Sequence, residues 1–256
     1  MPLLTSQMRE GDMIVLMSTR TITTVAFDAD DTLWANEDHF VSAQAQYQAI
    51  LAPYRAEWDA QELYETEQRN LAYFGYGIKG FVLSMIETAI QVTDGAISSL
   101  EIGRIIDIGR EMVHAPLELL PDVNQVIPAL SSHFRLMIIT KGDLFDQESK
   151  IARSGLTDYF RHIEVVSDKT PSAYERILRR YDISPREFVM IGNSLRSDIM
   201  PVVDIGGYAI HVPYHLTWQH EHIDVDSHDQ RWHTCANLAE VAQWLRQVAP
   251  DSFAQK

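Results

Sequence analysis

From Leu117 onward the chain alternates short apolar runs with helix-like segments, and this alternation constrains its fold more than any other feature. Helix-like Asn124–Leu130 precedes the strand-like run Arg135–Lys141, and a further helical segment precedes Ile163–Val166. A helix from Pro171 through Tyr181, with Thr170 as N-cap and proline at the first helical position, precedes Phe188–Gly192, and Tyr208–Val212 comes last. Strands that alternate with helices imply right-handed βαβ units and a parallel, doubly wound, Rossmann-like α/β sheet. Upstream, the β-branched run T-I-T-T-V-A-F-D from Thr21 to Asp28 reads as one more buried strand, ending in carboxylates.

Between these regions the pattern is helical. Val82, Met85, Ile86 and Ala89 fall on one helix face, and Ile102, Ile105, Ile106 and Val113 continue the spacing. Breaks at Pro53, at Gly75–Gly80 and at Thr93–Gly95 predict four helices in an antiparallel bundle. The expected organisation is a core of residues 21–36 and 116–256 with a helical cap of residues 37–115 inserted into it. Residues 1–20 precede the first convincing strand and read as an N-terminal extension open to disorder, with Met17 as an alternative start.

A chain of 256 residues accommodates such a core and a smaller domain. No run approaches the roughly 20 apolar residues of a membrane span, and Met13–Met17 is a poor secretory signal. The single cysteine, Cys235, excludes an internal disulfide and points to the cytoplasm. A net charge of −15 argues against nucleic acid as partner. The helical cap leaves monomer and homodimer equally open.

In a doubly wound sheet, ligands bind outside the carboxyl ends of the strands. Those ends here are Asp28-Ala29-Asp30-Asp31-Thr32, Thr140-Lys141-Gly142-Asp143, Ser167-Asp168-Lys169-Thr170 and Gly192-Asn193-Ser194, with Asp198 following. An aspartate-rich turn is common, and a lone threonine, lysine or asparagine at a strand end is usually a cap or solvated. Their joint order is what points to chemistry. F-D-A-D-D-T-L resembles the first motif, D-x-D-x-T, of the haloacid dehalogenase superfamily. Thr140, Lys169 and G-N-S-L-R-S-D fit its second, third and fourth motifs, and the helical insertion fits its cap. The likeness runs from about Val25 to Val212.

The resemblance implies a phosphatase with Asp28 as nucleophile, an aspartyl-phosphate intermediate and Mg²⁺ as cofactor. Phosphoryl transfer needs positioning and charge stabilisation more than covalent help. Asp30 would be the general acid and then the base. Thr140, Lys141 and Gly142 would hold phosphate oxygens, and Lys169 would offset charge. Asp28, the Asp30 carbonyl, Asn193 and Asp198 would hold the metal. Two positions depart from the pattern: Asp31 stands where the family usually has glycine, and Asn193 where many members have aspartate. In the cap, Tyr76 and Lys79 lie among three glycines and are candidates to meet the substrate. His220 and His222 form an H-x-H, a weak zinc signal, while His211 and His215 border the last strand. The expected substrate is a small phosphorylated metabolite, with a nucleoside monophosphate plausible. Haloacid dehalogenation, phosphomutation and a catalytically weak binding role are the alternatives. Asp30 opposes the first, because dehalogenases of the family lack that second aspartate.

Overall fold

The computed structural model describes residues 22–55, 59–216, 221 and 231–254. Its centre is a six-stranded, wholly parallel sheet in the order β3-β2-β1-β4-β5-β6. The strands are β1 (Thr24–Phe27), β2 (Arg135–Lys141), β3 (His162–Val166), β4 (Phe188–Gly192), β5 (Tyr208–His211) and β6 (Trp232–Thr234). The last was not expected from the sequence: three residues with a single apolar member, Trp232, give no periodic signal. It is an edge strand held by pairing with β5.

Alternation along the central strands builds both faces of the core. Val25 and Phe27 of β1 face one side with Leu136, Ile138, Val189 and Ile191. Ala26 faces the other with Met137, Ile139 and Met190. The first side is covered by α5 (Val123–Ser131) and α9 (Leu238–Val248), and the second by α7 (Pro171–Arg180) and α8 (Met200–Asp204). α7 starts as expected: Thr170 accepts a hydrogen bond from the Ala173 N–H, and Pro171 opens the helix. α6 (Leu144–Arg153) follows β2, and α10 (Pro250–Ala254) closes the described chain.

The insertion consists of α1 (Glu37–Leu51), α2 (Ala60–Phe74), α3 (Ile78–Val92) and α4 (Ser99–His114). It has its own core, in which Tyr47, Leu63, Met85 and Ile105 are fully buried. The chain leaves Phe74 through Gly75 and Gly77, both at positive φ. The helix resumes at Ile78, so Lys79 and Gly80 sit in its first turn and not in an open loop. A Cβ on Gly80 would come within 2.8 Å of the Gly75 carbonyl, so the tight return needs a residue without a side chain there. Among the described residues, no helix is long and apolar enough to cross a membrane.

Candidate active site

Because β1 is central, its C-terminal end lies in the middle of the sheet edge. There a cavity opens between the strand ends and the helical insertion. Asp28 is fixed by its own backbone, whose N–H donates to the Ile191 carbonyl at 2.8 Å. Its carboxylate is buried; Oδ1 accepts from the Lys169 ammonium, and Oδ2 lies 3.3 Å from the Thr32 hydroxyl. Lys169 also donates to Asp198 Oδ1 at 2.6 Å. One lysine thus serves two buried carboxylates. Burial, reinforced by Asp198 and Asp30 and opposed by Lys169, pushes the Asp28 carboxyl up to about 7. Burial alone would lower Lys169, but Asp198 and Asp28 outweigh it and hold the ammonium protonated.

Asp198 is fully buried, and its second oxygen accepts from the Ser194 N–H at 3.0 Å. A Cβ on Gly192 would come within 2.2 Å of that oxygen, so this close approach requires glycine. Asn193 turns its side-chain oxygen to within 3.3 Å of the Thr32 hydroxyl, on the same side as Asp28 Oδ2. Its backbone carbonyl lies 3.0 Å from His211 Nε2, which is how His211 borders the site. His215 instead lies at the surface against Asp38. His220 and His222 lie outside the described residues. Among the described residues there is no cluster of three or more His, Cys, Asp or Glu fit for a metal.

Asp30 is gripped by groups that the sequence did not point to. Its carboxylate accepts from Trp34 Nε1 at 2.6 Å, Gln147 Nε2 at 2.8 Å and Lys150 Nζ at 2.9 and 3.0 Å. Lys150 is buried and bonds Asn36 and Asp146 as well. Gln147 joins this network to Thr140, whose hydroxyl donates to Gln147 Oε1 at 3.2 Å. Asp146, Gln147 and Lys150 are buried polar positions on one face of α6, three to seven residues beyond an ordinary N-cap, Asp143. That buried polar face was the signal available, but only packing shows that it points at the site.

Asp31 has an explanation that the sequence withheld. Its φ is +59°, a conformation that favours glycine, and its Oδ1 accepts from the Asn36 and Glu37 N–H groups at 2.8 and 3.0 Å. It caps the first helix of the insertion from outside that helix and so ties the Asp28–Thr32 turn to the insertion. Lys141, Gly142 and Tyr76 line the cavity. Lys79 is not among its lining residues: it is exposed, ion-paired to Asp143 at 3.0 Å and 5.7 Å from the Phe145 ring.

Residues 22–206 match the family model of the haloacid dehalogenase-like hydrolases. The chain belongs to that family. A haloacid dehalogenase-like hydrolase from Xanthomonas campestris shares 41% identity with it at a TM-score of 0.82, over 93% of this chain and 96% of that one. Among curated proteins, a glyceraldehyde 3-phosphate phosphatase of Pyrococcus furiosus is 34% identical over 27% of this chain. An N-acylneuraminate-9-phosphatase of Rattus norvegicus is 27% identical over 47% of it. The chain spans only 31% of the length of the first and 51% of the second. In this hydrolase the D-x-D turn, Thr140, Lys169 and the Gly192–Asp198 segment meet at one sheet edge, and Lys79 stands apart from them.

Proposed function

We propose that this hydrolase is a Mg²⁺-dependent phosphatase that acts on a small phosphomonoester through an aspartyl-phosphate on Asp28. The observation that carries this reading is two carboxylates facing one cavity, each held by a different buried lysine: Asp28 by Lys169 and Asp30 by Lys150. Such a pair separates the roles that two-step hydrolysis needs, a nucleophile and a proton carrier. The Asp28 carboxylate supplies the oxygen that attacks phosphorus. Asp30 protonates the departing alcohol oxygen and then takes a proton from the water that opens the acyl phosphate. Trp34, Gln147 and Lys150 fix its orientation for both transfers. Lys169 offsets the repulsion between Asp28 and the incoming phosphoryl group, and Thr140 with the N–H groups after it faces the phosphate oxygens.

The donor set fits a hard cation. Asp28 and Asp198 share one lysine, which leaves a buried negative charge uncompensated. Asp28 and Asn193 oxygens flank the same hydroxyl, Thr32. Asp28, Asn193 Oδ1 and the Asp30 carbonyl would hold the ion, while Asp198, with both oxygens engaged, anchors Lys169 and the turn at Ser194. Bound there, Mg²⁺ would neutralise charge on the transferring phosphoryl group. The one cysteine, free and buried, fits a reducing cytoplasm.

The test is inorganic phosphate release from a panel of phosphomonoesters that includes nucleoside monophosphates, with Mg²⁺ and with EDTA. Metal-dependent release is expected, and Asp28→Asn should lower it on the order of 10⁴-fold or more. The same substitution removes a charge that burial disfavours, so the melting temperature at pH 8 should hold or rise. Metal-independent turnover, or an Asp28→Asn variant as active as wild type, would overturn the reading.

A further inference from the structure

Three lysines line the cavity among the described residues, against eight carboxylates. Lys169 and Lys150 are committed to the catalytic carboxylates. Lys141, next to Thr140, is the cation placed to meet a second anionic group on a substrate. It is already met by an anion of this chain. The Lys141 ammonium pairs with Glu221 Oε1 and donates to Ser197 Oγ at 2.9 Å. Glu221 Oε2 accepts from the Ser197 hydroxyl at 2.6 Å and from the Ser194 hydroxyl. The Tyr76 ring of the cap lies 4.3 Å from the same ammonium. Glu221 is buried at 9% exposure, although it comes from the segment after β5, far from the motifs in sequence. Burial alone would raise its carboxyl, but Lys141 and the two hydroxyls outweigh that and keep it ionised.

An ammonium and two hydroxyls around a carboxylate make an oxyanion pocket, and here the chain fills it itself. We infer that Glu221 is a specificity-determining residue: it occupies Lys141, Ser194 and Ser197 and closes the leaving-group side of the cavity to a second anion. The substrate is then a phosphomonoester whose leaving group is neutral or cationic, such as a polyol, a nucleoside or an amino alcohol. Carboxylate-bearing phosphate esters are excluded. Such a substrate would have to displace Glu221 or lie among uncompensated carboxylates, and both cost binding. This inference rests on the phosphatase reading and narrows it.

A matched pair of esters tests it: glycerol 3-phosphate and 3-phosphoglycerate, which differ in one terminal alcohol or carboxylate. Wild type is expected to favour glycerol 3-phosphate at least tenfold in kcat/KM. Glu221→Gln removes the charge that opposes a substrate anion at Lys141 and should shrink that ratio at least tenfold, chiefly through a lower KM for 3-phosphoglycerate. Adding Lys141→Met to Glu221→Gln should remove the gain. Each ratio is internal to one variant, so a general loss of activity cancels, and the wild-type ratio needs no variant. A wild-type enzyme indifferent to the carboxylate, or a ratio unmoved by Glu221→Gln, would overturn the inference and leave the phosphatase reading standing. If both esters and p-nitrophenyl phosphate prove inert with Mg²⁺, the phosphatase reading falls and the inference with it.

Discussion

The two walls of the cavity are built on different electrostatic plans. On the core wall, each lysine is locked against carboxylates: Lys169 between Asp28 and Asp198, Lys150 between Asp30 and Asp146, Lys141 against Glu221. On the cap wall, the lining residues include Glu37, Glu67, Asn70, Ser84 and Tyr76, and among the described residues no lysine or arginine. The core wall therefore fixes charges in place, which is what transfer chemistry needs. The cap wall offers acids, amides and hydroxyls to whatever leaves. On the proposed reading the core wall carries both the groups for phosphorus and the Lys141–Glu221 pair that limits the leaving group, and the cap wall meets the rest of the alcohol.

The comparison breaks most sharply at Lys150. Lys150→Met would leave buried Asp146 and half-buried Asp30 without their cation. It should cost about 3 kcal/mol of stability and lower kcat at least tenfold, with KM little changed. Denaturant melts and steady-state kinetics read both effects, and an unchanged kcat would show that Asp30 is positioned without Lys150. A smaller effect is expected at the link between the walls. Asp31→Gly relieves the positive φ but removes the cap on α1, for a net loss of about 1 kcal/mol.

The cap wall should show itself in pH dependence. Glu37 is pushed up to about 8 by burial, with Asp31 and Glu67 adding to the effect. A carboxyl raised in the folded state binds its proton more tightly there than in the unfolded chain, so stability falls as pH rises through about 8. Glu37→Gln should therefore flatten the fall in melting temperature between pH 6 and 9. The difference at the alkaline end should be on the order of 1 kcal/mol or less once solvent screening is allowed for. A wild-type melting temperature that climbs over this range would contradict the assignment. The smallest change is expected at Lys79. It pairs with Asp143 at the surface, so Lys79→Ala should move KM for small esters less than twofold and stability by less than about 1 kcal/mol. A large shift in substrate preference would move Lys79 onto the cap wall after all.

Much of the architecture was legible in advance because local patterns encode it. Short apolar and β-branched runs marked the strands of the parallel sheet other than β6, and 3.6-residue periodicity with glycine and proline breaks marked the four helices of the insertion. Asp28, Asp30, Thr140, Lys169, Asn193 and Asp198 stood out because a parallel sheet gathers strand ends at one edge. β6 was hidden because three edge residues carry no period. Lys79 was misplaced because glycines at 75, 77 and 80 read as one loop, whereas Gly80 is helical and small for a packing reason.

The sequence by itself determined which residues lie at the sheet's edge, since that follows from periodicity and connection. The tertiary structure alone decided what those residues touch. Asp31 acts as a remote helix cap, Lys150 and Gln147 hold Asp30, and Glu221 takes Lys141, through contacts that span from 5 to 120 residues of chain. Apart from the short reach of Asp31, side chains so far apart in sequence leave no joint periodicity. They meet only when the burial of the sheet's two faces and of the cap's own core brings their elements together.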